Sequence, residues 1–103
     1  MIKTWSGRSS FNYSGSVEKG TEISYGRNNT VIISAQQYLS LRKHFLNNVV
    51  PVGTSRTDAP KGSLGSWLQT NVTRTAIASY VAPILIREGY AKKEDERNIR
   101  IIK

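Results

Sequence analysis

The chain has 103 residues, a length that fits one domain with a single modest hydrophobic core. It has no cysteine, which excludes disulfide bonds, thiolate metal sites and a thiol nucleophile. Fifteen Lys and Arg residues against seven Asp and Glu residues leave a formal net charge of +8. This surplus favours a polyanionic partner such as nucleic acid, although it also occurs in small proteins that are basic only for solubility.

Membrane insertion and secretion are not expected. No apolar run approaches the length of a transmembrane helix, and the first ten residues lack the apolar core of a signal peptide. We therefore expect a cytoplasmic protein with no membrane partner.

The first 33 residues are predicted to be rich in β-structure. The string SFNYSGSV alternates as a strand does, and the strings TEISY and TVIIS flank GRNN, whose Gly and Asn favour a turn. A β hairpin or small sheet is therefore predicted. The aromatic residues here are predicted to pack in the core, with stacking on exposed bases as the alternative; they are Trp5, Phe11, Tyr13 and Tyr25.

A helix is predicted from about Ala35 to Asn47. Ser34 and Gln37 have the spacing of a capping box, in which two side chains satisfy free N–H groups at a helix start. Apolar residues follow at helical spacing: Tyr38, Leu41 and Phe45. Pro51 forbids any continuation of this helix.

A polar loop and two more helices are predicted next. The loop is GTSRTDAPKG, residues 53–62, and Ser63 is predicted to cap a short helix over the string LGSWLQTN. Thr73 is predicted to begin a longer helix, which Pro83 bends and Gly89 ends. Its apolar positions have helical spacing: Ile77, Tyr80, Val81, Ile84 and Leu85.

The order of elements in residues 34–103 resembles the winged helix-turn-helix DNA-binding fold. Two helices joined by a tight turn follow an earlier helix, and a charged hairpin comes after them. The string EGYAKKEDERNIRI is similar to the end of many winged-helix domains, where a Gly-aromatic step leads into the wing. The resemblance implies that the helix after Thr73 enters the major groove with its first turn nearest the bases.

The predicted fold is therefore a single α+β domain covering residues 1–103. A β-rich segment, residues 1–33, precedes a winged-helix-like unit of three helices and a C-terminal β hairpin, residues 34–103.

The third helix has few groups suited to reading bases. The arc opposite its apolar stripe has no Arg, Lys, Asn or Gln at its centre, and these side chains read guanine and adenine. Docking is therefore predicted to rest on charged loops, the wing and a helix start where Arg74 holds a phosphate. The predicted DNA contacts are Arg56, Lys61, Arg74, Thr75, Ser79, Lys92, Lys93 and Arg97. The acidic string EDE between the wing strands argues against a wing tip lying deep in DNA.

Two other roles for the outer arc of this helix stay open. Ala78, Ala82 and Ile86 form a small apolar stripe, which fits a protein partner in a small inhibitor, an assembly subunit or a homodimer. Alternatively, the N-terminal segment covers this stripe and the stripe is part of the core.

Catalysis is not predicted. The only histidine is His44, and the chain has no carboxylate pair with a lysine, no phosphate-binding loop and no serine elbow. No catalytic residue, metal or cofactor is therefore predicted. The function predicted is non-enzymatic binding of nucleic acid, with double-stranded DNA as the expected partner, by a small transcriptional regulator or a DNA-binding module.

Overall fold

The computed structural model describes residues 1–103 as seven strands in two antiparallel sheets and three helices. The elements in chain order are β1 (Ile2–Lys3), β2 (Ser10–Ser16), β3 (Gly20–Tyr25), β4 (Asn29–Ser34), α1 (Ala35–Phe45), β5 (Val49–Pro51), α2 (Leu64–Asn71), α3 (Ala78–Arg87), β6 (Ala91–Lys93) and β7 (Asn98–Ile101). The predicted mixture of helices and strands is confirmed.

The N-terminal sheet has the order β1-β2-β3-β4, so each strand pairs with the next along the chain. The predicted hairpin is confirmed as β3 and β4, with Tyr25 opposite Asn29. In its turn, Gly26 and Asn28 have φ angles of 57° and 65°. Gly and Asn adopt this left-handed conformation most readily, which explains why these residue types stand here.

Helix α1 begins as predicted and ends two residues earlier. Ser34 Oγ accepts from the N–H of Gln37 at 3.0 Å, and Gln37 Oε1 accepts from the N–H of Ser34 at 2.9 Å. Both bonds of the capping box are therefore present. The chain then forms β5, a strand that the sequence did not predict because Pro51 was interpreted only as a helix stop. β5 is an edge strand of the sheet β5-β7-β6, and an edge tolerates proline.

Helix α2 lies directly against the chain that follows β5. Ser63 caps it as predicted, with Oγ accepting from the N–H of Ser66 at 3.1 Å. Gly65 donates its N–H to the carbonyl oxygen of Val52 at 2.8 Å. A Cβ atom at Gly65 would lie 1.8 Å from the carbonyl oxygen of Gly53. The missing side chain is therefore what permits this close approach.

Helix α3 begins at Ala78, so the predicted start at Thr73 is wrong. The N–H of Thr73 bonds to the carbonyl oxygen of Leu68 at 3.1 Å and thus still belongs to the end of α2. The C-terminal end agrees with the prediction. Gly89 has a φ of 85°, and its N–H bonds to Ile86 O at 3.1 Å. Together with the 2.8 Å bond from Tyr90 N–H to Leu85 O, this forms a Schellman motif.

The N-terminal segment covers the outer side of α3. The rings of Phe11 and Tyr80 meet edge to face at 5.2 Å, and the N–H of Trp5 donates to the carbonyl oxygen of Ser79 at 2.9 Å. That carbonyl is available because Pro83, its partner four residues on, has no N–H.

The apolar stripe on α3 is therefore part of the core, which corrects its interpretation as a protein interface. Ala78 and Ala82 are at most 1% exposed, and Ile86 packs against the same core. The sequence left open whether this arc contacts DNA, binds a protein or is covered by the N-terminal segment. In the structure, the N-terminal segment covers it.

The C-terminal hairpin is confirmed as β6 and β7. β7 lies in the middle of its sheet, between β5 and β6, and it buries Ile99 and Ile101 as their alternation predicted. None of the three helices is long and apolar enough to cross a membrane.

Candidate nucleic-acid interface

Three irregular segments enclose a cleft of about 460 Å³. The first is the turn after β1, residues 5–8; the second follows β5 and includes Thr54 and Ser55; the third is the β6–β7 turn at Glu96 and Arg97. The cleft therefore draws on both ends and the middle of the chain.

Two hydrogen bonds fix these segments relative to one another, one from a side chain and one between backbone groups. Trp5 donates its Nε1–H to the carbonyl oxygen of Glu96 at 2.8 Å. The N–H of Val52 donates to the carbonyl oxygen of Arg97 at 2.9 Å. The walls are thus held in place before any ligand binds, which lowers the entropic cost of binding.

Two guanidinium groups lie at the cleft. Four of the residues that line it are polar or charged and exposed: Arg8, Thr54, Ser55 and Arg97. Arginine presents a planar fork of donors that matches phosphate oxygens, and hydroxyls add further donors. The polar part of the cleft is therefore chemically suited to a phosphate group.

A second pair of exposed arginines lies in the segments that flank α2. Gln69 Nε2 donates to the carbonyl oxygens of Arg56 and Arg74, at 3.0 and 3.4 Å, so one side chain joins their two segments. Burial and then the nearby Tyr25 raise the pKa of the Tyr80 hydroxyl, and the positive charge of Arg56 opposes that rise. We call Arg8, Arg56, Arg74 and Arg97 together the basic face.

The carboxylates of the β6–β7 turn are engaged within the hairpin. Asp95 Oδ1 accepts from the N–H of Arg97 at 2.8 Å and from the N–H of Asn98 at 2.9 Å. These bonds, the one from Arg97 first, lower the pKa of Asp95. Glu94 pairs with Arg100 at 3.0 Å. Asp95 therefore stays ionised, and the predicted objection to a DNA contact at this turn remains.

Lys93 is also occupied in this hairpin. Its Nζ lies 3.5 Å from Glu96 Oε1 and 5.2 Å from the centre of the Trp5 ring. A cation over an aromatic face is attracted by the ring electrons. Lys93 thus supports the cleft wall from outside.

Of the predicted contacts, Arg97 lines the cleft. Arg56 and Arg74 are joined to each other by Gln69. Lys61 and Lys92 are exposed, before α2 and on β6, and neither lines the cleft.

The predicted phosphate site at the start of α3 is wrong in its geometry. Arg74 and Thr75 precede the helix, and α3 has no side-chain cap. Ser79 is half-buried beneath the segment that contains Trp5, so its predicted role in reading bases is not supported.

Arg8 lines the cleft but was not among the predicted DNA contacts. Trp5 was predicted to pack in the core, with stacking on exposed bases as the alternative, and it packs partly against the core while also lining the cleft. The available signal was an aromatic residue beside a basic one in the string WSGR, within a segment rich in Ser and Gly. No group of three His, Asp or Glu side chains lies close enough together to hold a metal ion.

Comparison with known proteins finds no matching family model, no similar curated protein and no similar solved structure. The basic face and its cleft are therefore the features from which a function is inferred.

Proposed function

We propose that the protein binds nucleic acid, with double-stranded DNA as its partner, by docking the basic face on the phosphate backbone. The observation that carries this proposal is that Arg8 and Arg97 line one cleft, Gln69 joins the backbone of Arg56 and Arg74, and none of these four exposed arginines is in a salt bridge. The two salt bridges of the chain join Lys93 to Glu96 and Arg100 to Glu94.

Electrostatics supplies the driving force in this proposal. Each phosphate contact releases condensed counterions from DNA, so the logarithm of affinity falls with the logarithm of salt concentration by about 0.9 per contact on a duplex. Four arginine contacts give a slope between about −3 and −4. Arginine also binds phosphate oxygens in pairs, which fixes orientation.

Sequence recognition is expected to be weak. Direct reading of bases requires a helix or ribbon that enters a groove, and the outer side of α3 is covered by the N-terminal segment. Of the two residues predicted to read bases, Thr75 is exposed and Ser79 is half-buried. The protein is thus proposed as a backbone-binding module or small regulator that reads bases little by itself.

The proposal includes a winged-helix arrangement for residues 34–103. Supporting it, the chain runs helix, strand, helix, helix, strand, strand, and β5 pairs with β7 beside β6. This order resembles a winged-helix unit. The N-terminal sheet then represents an addition that covers the third helix and moves the basic surface to its flank.

A salt titration with a matched pair of variants tests this function. We expect binding to random-sequence duplex at low salt, with the slope given above. The double change Arg56→Ala/Arg74→Ala is expected to reduce that slope by about 2, whereas Arg27→Ala/Lys43→Ala removes the same charge outside the basic face. Absence of duplex binding at low salt, or equal slopes for the two variants, contradicts the proposal.

A further inference from the structure

The cleft at the basic face is more than a charged surface. A duplex backbone needs only exposed cations for electrostatic docking, yet here about 460 Å³ of concave space lies between Arg8 and Arg97. This volume falls within the range of about 300–1,000 Å³ typical of small-ligand sites. Space of this size accommodates a group that protrudes from the nucleic acid.

The walls of the cleft are of two chemical kinds. Trp5, Pro51 and Pro60 supply an apolar part. Arg8, Arg97 and Ser55 supply a polar part, to which Glu96 adds one carboxylate. A nucleotide has the same division, with a flat base and a charged phosphate. Resting on the proposed function, we infer that the cleft takes one unpaired nucleotide, with its base against the apolar part and its phosphate between Arg8 and Arg97.

Trp5 is well placed for this role. Its backbone N–H is bonded to Ser79 O at 2.9 Å and its Nε1–H to Glu96 O at 2.8 Å, so both of its donors are satisfied within the protein. The ring is therefore held in the wall without needing a polar partner from the ligand. Stacking of a base on an aromatic side chain tolerates any sequence, because every base has a flat face.

The ligand class follows from this geometry. A base inside a duplex is paired and stacked on its neighbours, so it cannot enter the cleft without being extruded. An unpaired base in a single strand or an overhang has no such cost. The cleft thus selects nucleic acid with an unpaired nucleotide over fully paired duplex.

The test compares a short blunt duplex, the same duplex with a single-stranded overhang, and the same overhang without bases. The abasic overhang has equal phosphate charge, so it separates stacking from electrostatics. We expect the normal overhang to bind about 10-fold more tightly than the blunt duplex or the abasic overhang. Stacking of one base on an aromatic side chain contributes about this factor to affinity. Emission from Trp5 is expected to fall on binding, measured in a Trp67→Phe background that leaves Trp5 as the only tryptophan.

A pair of exposed variants localises the effect. Arg8→Ala/Arg97→Ala should remove the preference for the overhang while keeping the unfolding midpoint, and Arg27→Ala/Lys43→Ala should keep the preference. Equal affinity for blunt, abasic and normal overhangs, with salt-dependent binding of all three, overturns the nucleotide site but leaves the proposed function standing. Failure of every probe to bind at low salt overturns the proposed function as well.

Discussion

The two ends of helix α3 are built in opposite ways. At the C-terminal end, Glu88 accepts from the hydroxyl of Tyr13 at 2.6 Å and from the N–H of Val17 at 2.9 Å, and Gly89 closes the helix. At the N-terminal end, no side chain caps the helix, and Arg56 and Arg74 lie nearby without an acidic partner.

The two ends therefore differ in whether their charged groups have partners within the chain. A helix dipole favours acidic groups at the N-terminal end and basic groups at the C-terminal end, so Glu88 and the two arginines occupy the less favourable ends. The N-terminal sheet satisfies Glu88 with two donors. Nothing in the chain balances the arginines, and an external anion does so in the function proposed here.

The largest expected effect concerns the cleft at the N-terminal end. Gly65→Ala places a methyl group 1.8 Å from the carbonyl oxygen of Gly53, which lies in the cleft wall, so the backbone must move. We expect a loss of about 3 kcal/mol in the free energy of unfolding, measured by urea denaturation. Thr70→Ala, an exposed position on the same helix, serves as the control and should change it by less than about 0.5 kcal/mol.

The next effect tests the C-terminal end. Glu88→Ala leaves the hydroxyl of Tyr13 and the N–H of Val17 without their acceptor, and we expect it to cost about 2 kcal/mol of unfolding free energy. Glu22→Ala removes the same charge from an exposed position on β3. If both variants unfold at the same urea concentration, Glu88 does not fasten the sheet to α3.

Charge reversal at each end of α3 sharpens the comparison directly. Arg74→Glu and Arg87→Glu change net charge equally, and both positions are exposed. We expect Arg74→Glu to weaken binding to DNA about 10-fold at low salt, because it places a carboxylate on the basic face, and Arg87→Glu to weaken it much less. Fluorescence anisotropy measures both affinities, and equal losses would mean that only total charge matters.

The smallest effect is a dependence of stability on alkaline pH. Burial, and then the hydrogen bond to Glu88, raises the pKa of Tyr13 to about 12 from an ordinary value of 10. The raised pKa means that the folded state favours the protonated phenol. Its contribution is complete below pH 10 and is lost as the pH rises through about 12.

Tyr13→Phe is the control for this titration. Burial also raises the pKa of Tyr38, so some alkaline destabilisation should persist in the variant. We expect Tyr13→Phe to reduce the slope of unfolding free energy against pH above 10. An unchanged slope contradicts the assignment of this titration to Tyr13.

Elements with local signals could be predicted from the sequence. The capping box at Ser34 and Gln37 specifies a helix start through two bonds within four residues. The turn between β3 and β4 and the C-terminal glycine of α3 are equally local. These features need no knowledge of the rest of the fold.

The start and the faces of α3 could not be predicted in the same way. Thr73 has the residue type of a helix cap, but a bond to Leu68 O ties it to the last turn of α2. Both arcs of α3 lie against protein, one against the C-terminal half and one against the N-terminal sheet. The less apolar arc was therefore wrongly predicted to be an exposed surface of the helix. One signal was present: no charged residue occurs between Arg74 and Arg87, and a helix that is apolar on all sides is a buried one.

The cleft itself was beyond prediction because its walls come from distant parts of the chain. Arg97 was identified by charge alone, whereas its place in the same cleft as Arg8 depends on bonds between Trp5, Val52 and the β6–β7 turn. Such tertiary contacts leave no periodic pattern in the sequence.

The proline in α3 has a consequence for how the molecule unfolds. Because Pro83 has no N–H, the carbonyl of Ser79 lacks its helical partner and receives a hydrogen from Trp5, at the opposite end of the chain. Detaching the N-terminal segment would therefore leave a gap in the hydrogen bonding of α3 itself. We expect the two halves to open in one cooperative transition, so that the amide of Trp5 exchanges with solvent at the rate of global unfolding and not at the rate of a fraying terminus.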